Sequence, residues 1–190
     1  MIRGIIFDCF GVLYGGSLGA LARAAGDRAQ EISDIHLAKD YGYIDYEEFL
    51  RQISEVIGTS VDEVRGIIQQ RQVLNTDLLD YTQQLRKDYK VGLLSNIDMD
   101  TAQGLFNGDI ATYFDGVVLS SQEGMAKPSP EIYELAASRL GCKPEACIMI
   151  DDLEVNCDGA REVGMQAILY TSNDNTIRRI SEITGGSHAE

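Results

Sequence analysis

Five short runs rich in β-branched and aromatic residues, separated by stretches with helical periodicity, constrain this chain more than any other feature. They are Ile2 to Phe7, Tyr89 to Leu94, Gly116 to Leu119, Ala146 to Ile150 and Met165 to Tyr170. Short apolar runs bounded by turn signals read as buried strands. Where helices separate the strands, each strand needs a crossover to reach the next, and the crossovers cover the sheet. The pattern predicts a mainly parallel, Rossmann-like α/β fold with helices on both faces.

The punctuation of the chain supports this. A helix is predicted from Ser129, with Ser129 as its N-cap, Pro130 at its first position, Ile132, Leu135, Ala136 and Leu140 on one face, and Gly141 as its stop. A second helix after Asp152 ends at Gly164. Between Ser17 and Val73 no strand pattern occurs. That stretch carries helical periodicity instead, such as Tyr46, Phe49, Leu50, Ile53, Val56 and Ile57, introduced by the capping pair Asp45 and Glu48. Ser60 and Glu63 introduce another helix. The chain therefore divides into a core, residues 1–16 and 74–190, and a small helical insertion, residues 17–73. No repeat or linker interrupts it, so insertion and core are expected to pack as one unit.

The formal charge of −14 argues against nucleic acid and anionic membrane as partners, because both need a basic surface. A small phosphate is still compatible, since its site can be built locally from a metal ion and backbone N–H groups. Cys9, Cys142, Cys147 and Cys157 form no CxxC pair, and His36 and His188 supply no zinc pattern. Reduced thiols are expected. Residues 1–7 reach Asp8 too soon for a signal peptide, and no apolar run approaches the roughly 20 residues that span a bilayer. A cytoplasmic protein with no obligatory protein partner is the expectation.

Four polar segments fall at or after the carboxyl ends of the expected strands, where open α/β sheets bind ligands: Asp8, Ser95-Asn96, Lys127 and Asp151-Asp152. Carboxylates brought together there repel one another unless a cation neutralises them. Mg²⁺ suits such a site, with Asp8, Asp151, Asp152 and a carbonyl near residue 10 as oxygen ligands. One Asp8 oxygen is then placed to attack phosphorus. Ser95 would donate to a phosphoryl oxygen, and Lys127 would offset negative charge.

The segments Ile5-Ile6-Phe7-Asp8-Cys9-Phe10-Gly11-Val12-Leu13, Gly92-Leu93-Leu94-Ser95-Asn96, Lys127-Pro128-Ser129-Pro130-Glu131-Ile132-Tyr133 and Ile150-Asp151-Asp152-Leu153-Glu154-Val155-Asn156-Cys157-Asp158-Gly159-Ala160 carry a resemblance. In order and spacing they resemble the four motifs of the haloacid dehalogenase superfamily, over residues 2 to 170. The insertion after the first motif is similar to the helical cap of the branch that holds many small-molecule phosphatases, the phosphatase domain of soluble epoxide hydrolase and the 2-haloacid dehalogenases. The resemblance implies Asp8 as nucleophile and the Phe10 main-chain carbonyl and Asp152 as metal ligands, with Asp151 as a further or water-mediated ligand. It also implies Ser95 and Lys127 as phosphate-site residues and Asn96 as a substrate contact. Asn156 and Asp158 lie in the fourth motif, where a hydrogen-bond network at the start of a helix accounts for them equally well.

The activity so implied is Mg²⁺-dependent hydrolysis of a small phosphorylated metabolite through an aspartyl-phosphate. One position departs from the pattern. Phosphatases of the family usually carry an acid/base Asp two residues after the nucleophile, and here Phe10 stands there. General acid/base catalysis contributes about 10²–10⁴ in rate, so slow turnover is expected. The 2-haloacid dehalogenases place an aromatic residue at this point, which makes dehalogenation by Asp8 a competing reading. Against it, Asp151 and Asp152 would repel a haloacid carboxylate. A third reading is a catalytically weak phosphate-binding or regulatory protein. Asp98 is read as an N-cap and not as a substitute acid.

Overall fold

The computed structural model describes residues 1–190 except 16, 41, 72, 98, 107–109 and 186–190, so Asp98 and His188 lie outside the described residues. Along the chain run β1 (Gly4–Phe7), α1 (Leu18–Ala25), α2 (Ala29–Asp40), α3 (Tyr46–Ile57), α4 (Val61–Arg71), α5 (Thr76–Leu85) and β2 (Lys90–Ser95). There follow α6 (Met99–Leu105), β3 (Gly116–Leu119), the single turn α7 (Ser120–Glu123), α8 (Pro130–Arg139), β4 (Cys147–Asp151), α9 (Glu154–Glu162), β5 (Gln166–Leu169) and α10 (Asn173–Thr184). The fold class is α/β, as the alternation requires. All five strands pair in parallel in one sheet, in the order β3-β2-β1-β4-β5.

Every residue of β1 is buried, because the strand has a neighbour on each side: Ile5 sits level with Val91 of β2 and with Ile148 of β4. Alternate side chains point to opposite faces. Ile6, Leu94, Val118 and Met149 belong to one core cluster together with Ile132, Tyr133, Ala136 and Ala137 of α8 and Ala160 of α9. Burying each of the larger aliphatic side chains in this layer contributes about 1.5–3 kcal/mol. The chain builds outward from β1 to β2 and β3, then returns to the other side of β1 for β4 and β5. That reversal puts the switch point of the sheet between β1 and β4, and the carboxyl ends of those strands are Asp8 and Asp151.

The helix ends follow local chemistry, with one difference from expectation. Pro130 opens α8, but Ser129 does not cap it through its side chain. Its hydroxyl contacts the Glu131 carboxylate instead. At the far end Gly141 takes a left-handed conformation, φ +66°, and the Cys142 N–H returns to the Ala137 carbonyl at 3.0 Å, which closes the helix.

The chain divides into two compact units, Met1–Leu13 with Leu74–Glu190, and Tyr14–Val73, where the lack of a linker predicted one. The second unit has a core of its own, formed by Leu21, Ile32, Phe49, Leu50, Ile53, Val56, Val64 and Ile68. Its helices start as their sequences prescribe. Asp45 Oδ1 accepts from Glu48 N at 2.8 Å, and Ser60 and Glu63 exchange a reciprocal pair, Glu63 N to Ser60 Oγ at 3.2 Å and Ser60 N to Glu63 Oε2 at 3.1 Å. Tyr43 and Tyr46 are exposed, and Tyr46 stacks on Phe49 at 6.1 Å. No helix among the described residues is long and apolar enough to cross a membrane.

Candidate active site

Asp8 continues the β1 pairing one residue past the strand, its N–H donating to the Ile150 carbonyl at 2.9 Å. This brings it level with the end of β4. The chain then turns sharply: Val12 and Leu13 both return N–H bonds to the Cys9 carbonyl, at 3.3 and 2.9 Å. Asp8, Asp151 and Asp152 each offer a carboxylate oxygen within 4.8 Å of the others. Lys127 reaches into this group. Its Nζ lies 2.9 Å from Asp8 Oδ1 and 2.5 Å from Asp151 Oδ2.

Burial makes these charges consequential. Lys127 is 2 % exposed, Asp151 0 % and Asp8 6 %. Loss of hydration pushes the Asp8 carboxyl up to about 6; the nearby Lys127 charge opposes that shift and the Asp151 charge adds to it. Asp152 is raised well above the usual carboxylate range, first by loss of hydration and then by the charges of Asp8 and Asp151. Burial works against the Lys127 ammonium, but Asp151 and Asp8 more than offset it and hold its pKa above the ordinary value. Three carboxylates and one ammonium leave the cluster with two negative charges when all are ionised, the complement of one divalent cation.

The surroundings of each group are specified by residues nearby. Asp151 Oδ1 accepts from Leu153 N at 3.0 Å and from Asn156 Nδ2 at 2.9 Å, so the start of α9 orients this carboxylate. Asn156 is thus part of the helix-start network, whereas Asp158 pairs with Arg161 at 2.6 Å on an exposed face. Asp152 is accommodated by the absence of a side chain at Gly11, whose φ is +87°. A Cβ built there would lie 2.0 Å from Asp152 Oδ2 and 2.2 Å from its Cγ. Gly11 thus makes room for the Asp152 carboxylate, and the three carboxylates that meet here are hard oxygen donors of the kind that fits Mg²⁺.

Ser95 is the last residue of β2 and is buried at the same end of the sheet. Phe10 is partly buried in the turn after Asp8. Asn96 spends its amide on the lysine loop: Oδ1 accepts from Lys127 N at 2.9 Å, and Nδ2 donates to Lys127 O at 3.1 Å. The Lys127-Pro128 peptide bond is cis. Behind it, Gly159 of α9 meets Pro128 so closely that a Cβ would lie 2.6 Å from the Pro128 carbonyl oxygen. The Tyr133 hydroxyl donates to Asn156 O at 2.8 Å, tying α8 to α9 under the site. Cys9 is buried, and burial followed by the Asp8 charge pushes its thiol up, away from the thiolate that redox or nucleophilic chemistry would need.

Sequence reasoning passed over Gly11, Gly159 and a polar junction beside the site. Asn75, the N-cap of α5, has its Nδ2 donor within hydrogen-bond distance of Val12 O at 3.0 Å, Tyr170 Oη at 3.1 Å and Asn173 Oδ1 at 2.8 Å, two N–H groups shared among three acceptors. The Tyr170 N–H donates to Asp151 O at 2.8 Å. One junction therefore ties the turn after Asp8 to the segment after β5. Asn75 carried one legible signal, an Asn ahead of a helical pattern; Tyr170 and Asn173 carried none.

The haloacid dehalogenase-like hydrolase family model matches residues 2–164. Glyceraldehyde 3-phosphate phosphatase of Methanothermobacter thermautotrophicus is 40% identical over 89 residues, which are 45% of this chain and 39% of that protein. Bifunctional epoxide hydrolase 2 of Rattus norvegicus is 33% identical over 82 residues, 43% of this chain and 15% of that protein. The chain thus spans less than half the length of either relative. Among solved structures, a HAD family enzyme from Bacteroides thetaiotaomicron in complex with magnesium and inorganic phosphate superposes with a TM-score of 0.60 at 26% identity, covering 91% of this chain and 96% of that one.

Proposed function

The chain belongs to the haloacid dehalogenase-like hydrolase family, and on that premise we propose that it is a Mg²⁺-dependent phosphatase acting on a small phosphorylated metabolite through an aspartyl-phosphate. The observation that carries this reading is the cluster of Asp8, Asp151 and Asp152 around the Lys127 ammonium, with its two surplus negative charges. Asp8, Asp152, Asp151 and the Phe10 carbonyl would hold the metal. When bound, Mg²⁺ supplies charge neutralisation and polarises the phosphoryl oxygens.

The chain's own residues account for the rest of the reaction. Among the described residues Cys9 N and Lys127 Nζ meet Asp8 at Oδ1, and in this reading Oδ2 is the attacking oxygen. As an Asp8 oxygen bonds to phosphorus, the bond from phosphorus to the leaving oxygen breaks. Lys127 lowers the cost of placing an anionic phosphate against Asp8, and Ser95 donates to a phosphoryl oxygen. Phe10 has no proton to give, so the leaving group takes its proton from solvent or from the substrate. Water then cleaves the acyl phosphate and restores Asp8. The helical insertion, residues 17–73, corresponds in this reading to the cap and selects the substrate; the protein works in the cytoplasm.

Dehalogenation fits the site less well, because a haloacid carboxylate would enter beside three carboxylates. The deciding measurement is hydrolysis of an aryl phosphate, whose leaving group needs little protonation. Turnover should require Mg²⁺ and vanish in Asp8→Asn. Turnover that survives both chelation and that substitution would overturn the proposal.

A further inference from the structure

We propose that Asn96 is a positioning residue for Lys127, acting through the main chain of the lysine. The inference deepens the phosphatase reading and rests on it for its catalytic consequence. Lys127 stands eight residues beyond Leu119, the end of β3, so the strand itself does not fix it. A lysine side chain has about 2 kcal/mol of rotamer entropy to lose, yet its ammonium must stand between two buried carboxylates. Something must hold the backbone from which it projects.

The Asn96 amide does so in the manner of a neighbouring strand. It offers an acceptor to the Lys127 N–H at 2.9 Å and a donor to the Lys127 carbonyl at 3.1 Å. The two bonds need opposite polarity, so only one orientation of the amide satisfies both. One N–H of Nδ2 is committed to the lysine carbonyl, and Oδ1 is committed to the lysine N–H. The adjacent positions at the end of β2 thus divide the work: Ser95 serves the phosphate pocket and Asn96 serves the lysine loop. From behind, the close approach of Gly159 to Pro128 limits retreat of the same loop.

Two measurements on the full chain test this. The first needs no turnover: the rate at which acetic anhydride labels each lysine, read by mass spectrometry. Loss of two hydrogen bonds in Asn96→Leu should raise the Lys127 labelling rate by about tenfold or more, while exposed Lys90 stays at the wild-type rate. The second is a double-mutant cycle with an aryl phosphate. Asn96→Leu should lower kcat with KM within about twofold, and should have almost no further effect in a Lys127→Met background. Asn96→Ser, which is shorter and polar, should follow the same pattern and serves if the leucine variant does not fold.

An unchanged Lys127 labelling rate in a folded variant overturns the inference. So does a raised KM with kcat retained, or an equal fold-loss in both backgrounds. If the wild type hydrolyses no phosphate ester, the phosphatase reading fails, and the labelling rates still decide what Asn96 does.

Discussion

Substituting Gly11 by alanine would separate the backbone demands of the turn after Asp8 from the demands of the proposed metal site. At φ +87° an alanine is strained, a cost of about 1–2 kcal/mol. In a chain of this size each kcal/mol shifts Tm by about 2–4 °C, so strain alone lowers Tm by roughly 2–8 °C. The new methyl would also lie 2.0 Å from Asp152 Oδ2, where ordinary contact begins at 3.4 Å. The carboxylate must therefore move by more than an ångström. Displacing one oxygen ligand should weaken Mg²⁺ by about 10- to 100-fold, by analogy with losses on disturbing the supports of metal ligands. Gly141→Ala is the control: its φ is +66° and nothing lies within 4 Å of the added Cβ. Thermal melts in chelator and across a Mg²⁺ titration should show both variants destabilised in chelator. Only Gly11→Ala should need more metal to regain stability; at a concentration 100 times the wild-type Kd, a 100-fold weaker site forfeits about 2.3 kcal/mol of metal-linked stability. Wild-type Mg²⁺ half-saturation in Gly11→Ala would refute the placement of Asp152 by Gly11 as a condition for metal binding, as would an equal loss in Gly141→Ala.

Two further outcomes follow from the same geometry. Phe10→Asp should raise turnover on alkyl phosphates by up to about 10²–10⁴ and on aryl phosphates by much less; an equal gain on both would show that the aromatic ring has another task. Because burial pushes the Asp8 carboxyl up to about 6 in the fold, from an ordinary value near 3.8, the folded metal-free protein holds extra protons between those values. Its stability should therefore fall as pH rises through that window. Mg²⁺ takes the place of those protons, so the metal-induced gain in Tm should grow across the same window, and a gain that stays flat from pH 4 to 7 would contradict the assignment.

The strands were legible because they are buried: Ile5, Ile6 and Phe7 have no polar alternation to confuse with a surface helix, and the residue that ends the run is the one that carries charge. The acidic pair Asp151-Asp152 and the lysine before Pro128 were legible through motif order. Partnerships formed only by folding were not. Asn96 and Lys127 are 31 residues apart, and nothing in either local pattern announces that a side-chain amide will clamp a distant main chain. The task of Gly11 was not legible either, since a one-dimensional pattern cannot say which carboxylate will fill the space that a missing Cβ leaves. Ser129 had the identity of an N-cap, but its hydroxyl had a nearer partner in Glu131.

The insertion leaves and rejoins the sheet at one stitched point. Asn75 N bonds Leu13 O at 2.9 Å on the sheet side, and Gly15 N bonds Val73 O at 2.7 Å on the insertion side. Departure and return are thus neighbours, and the register of β1 against β2 and β4 does not depend on how many residues lie between them. Loop-closure entropy grows only with the logarithm of loop length, so the stretch between the stitches is free to lengthen, shorten or be replaced. Within the sheet the strands keep their register whatever length of chain lies between the two stitches, so the insertion can change while Asp8 stays where β1 puts it.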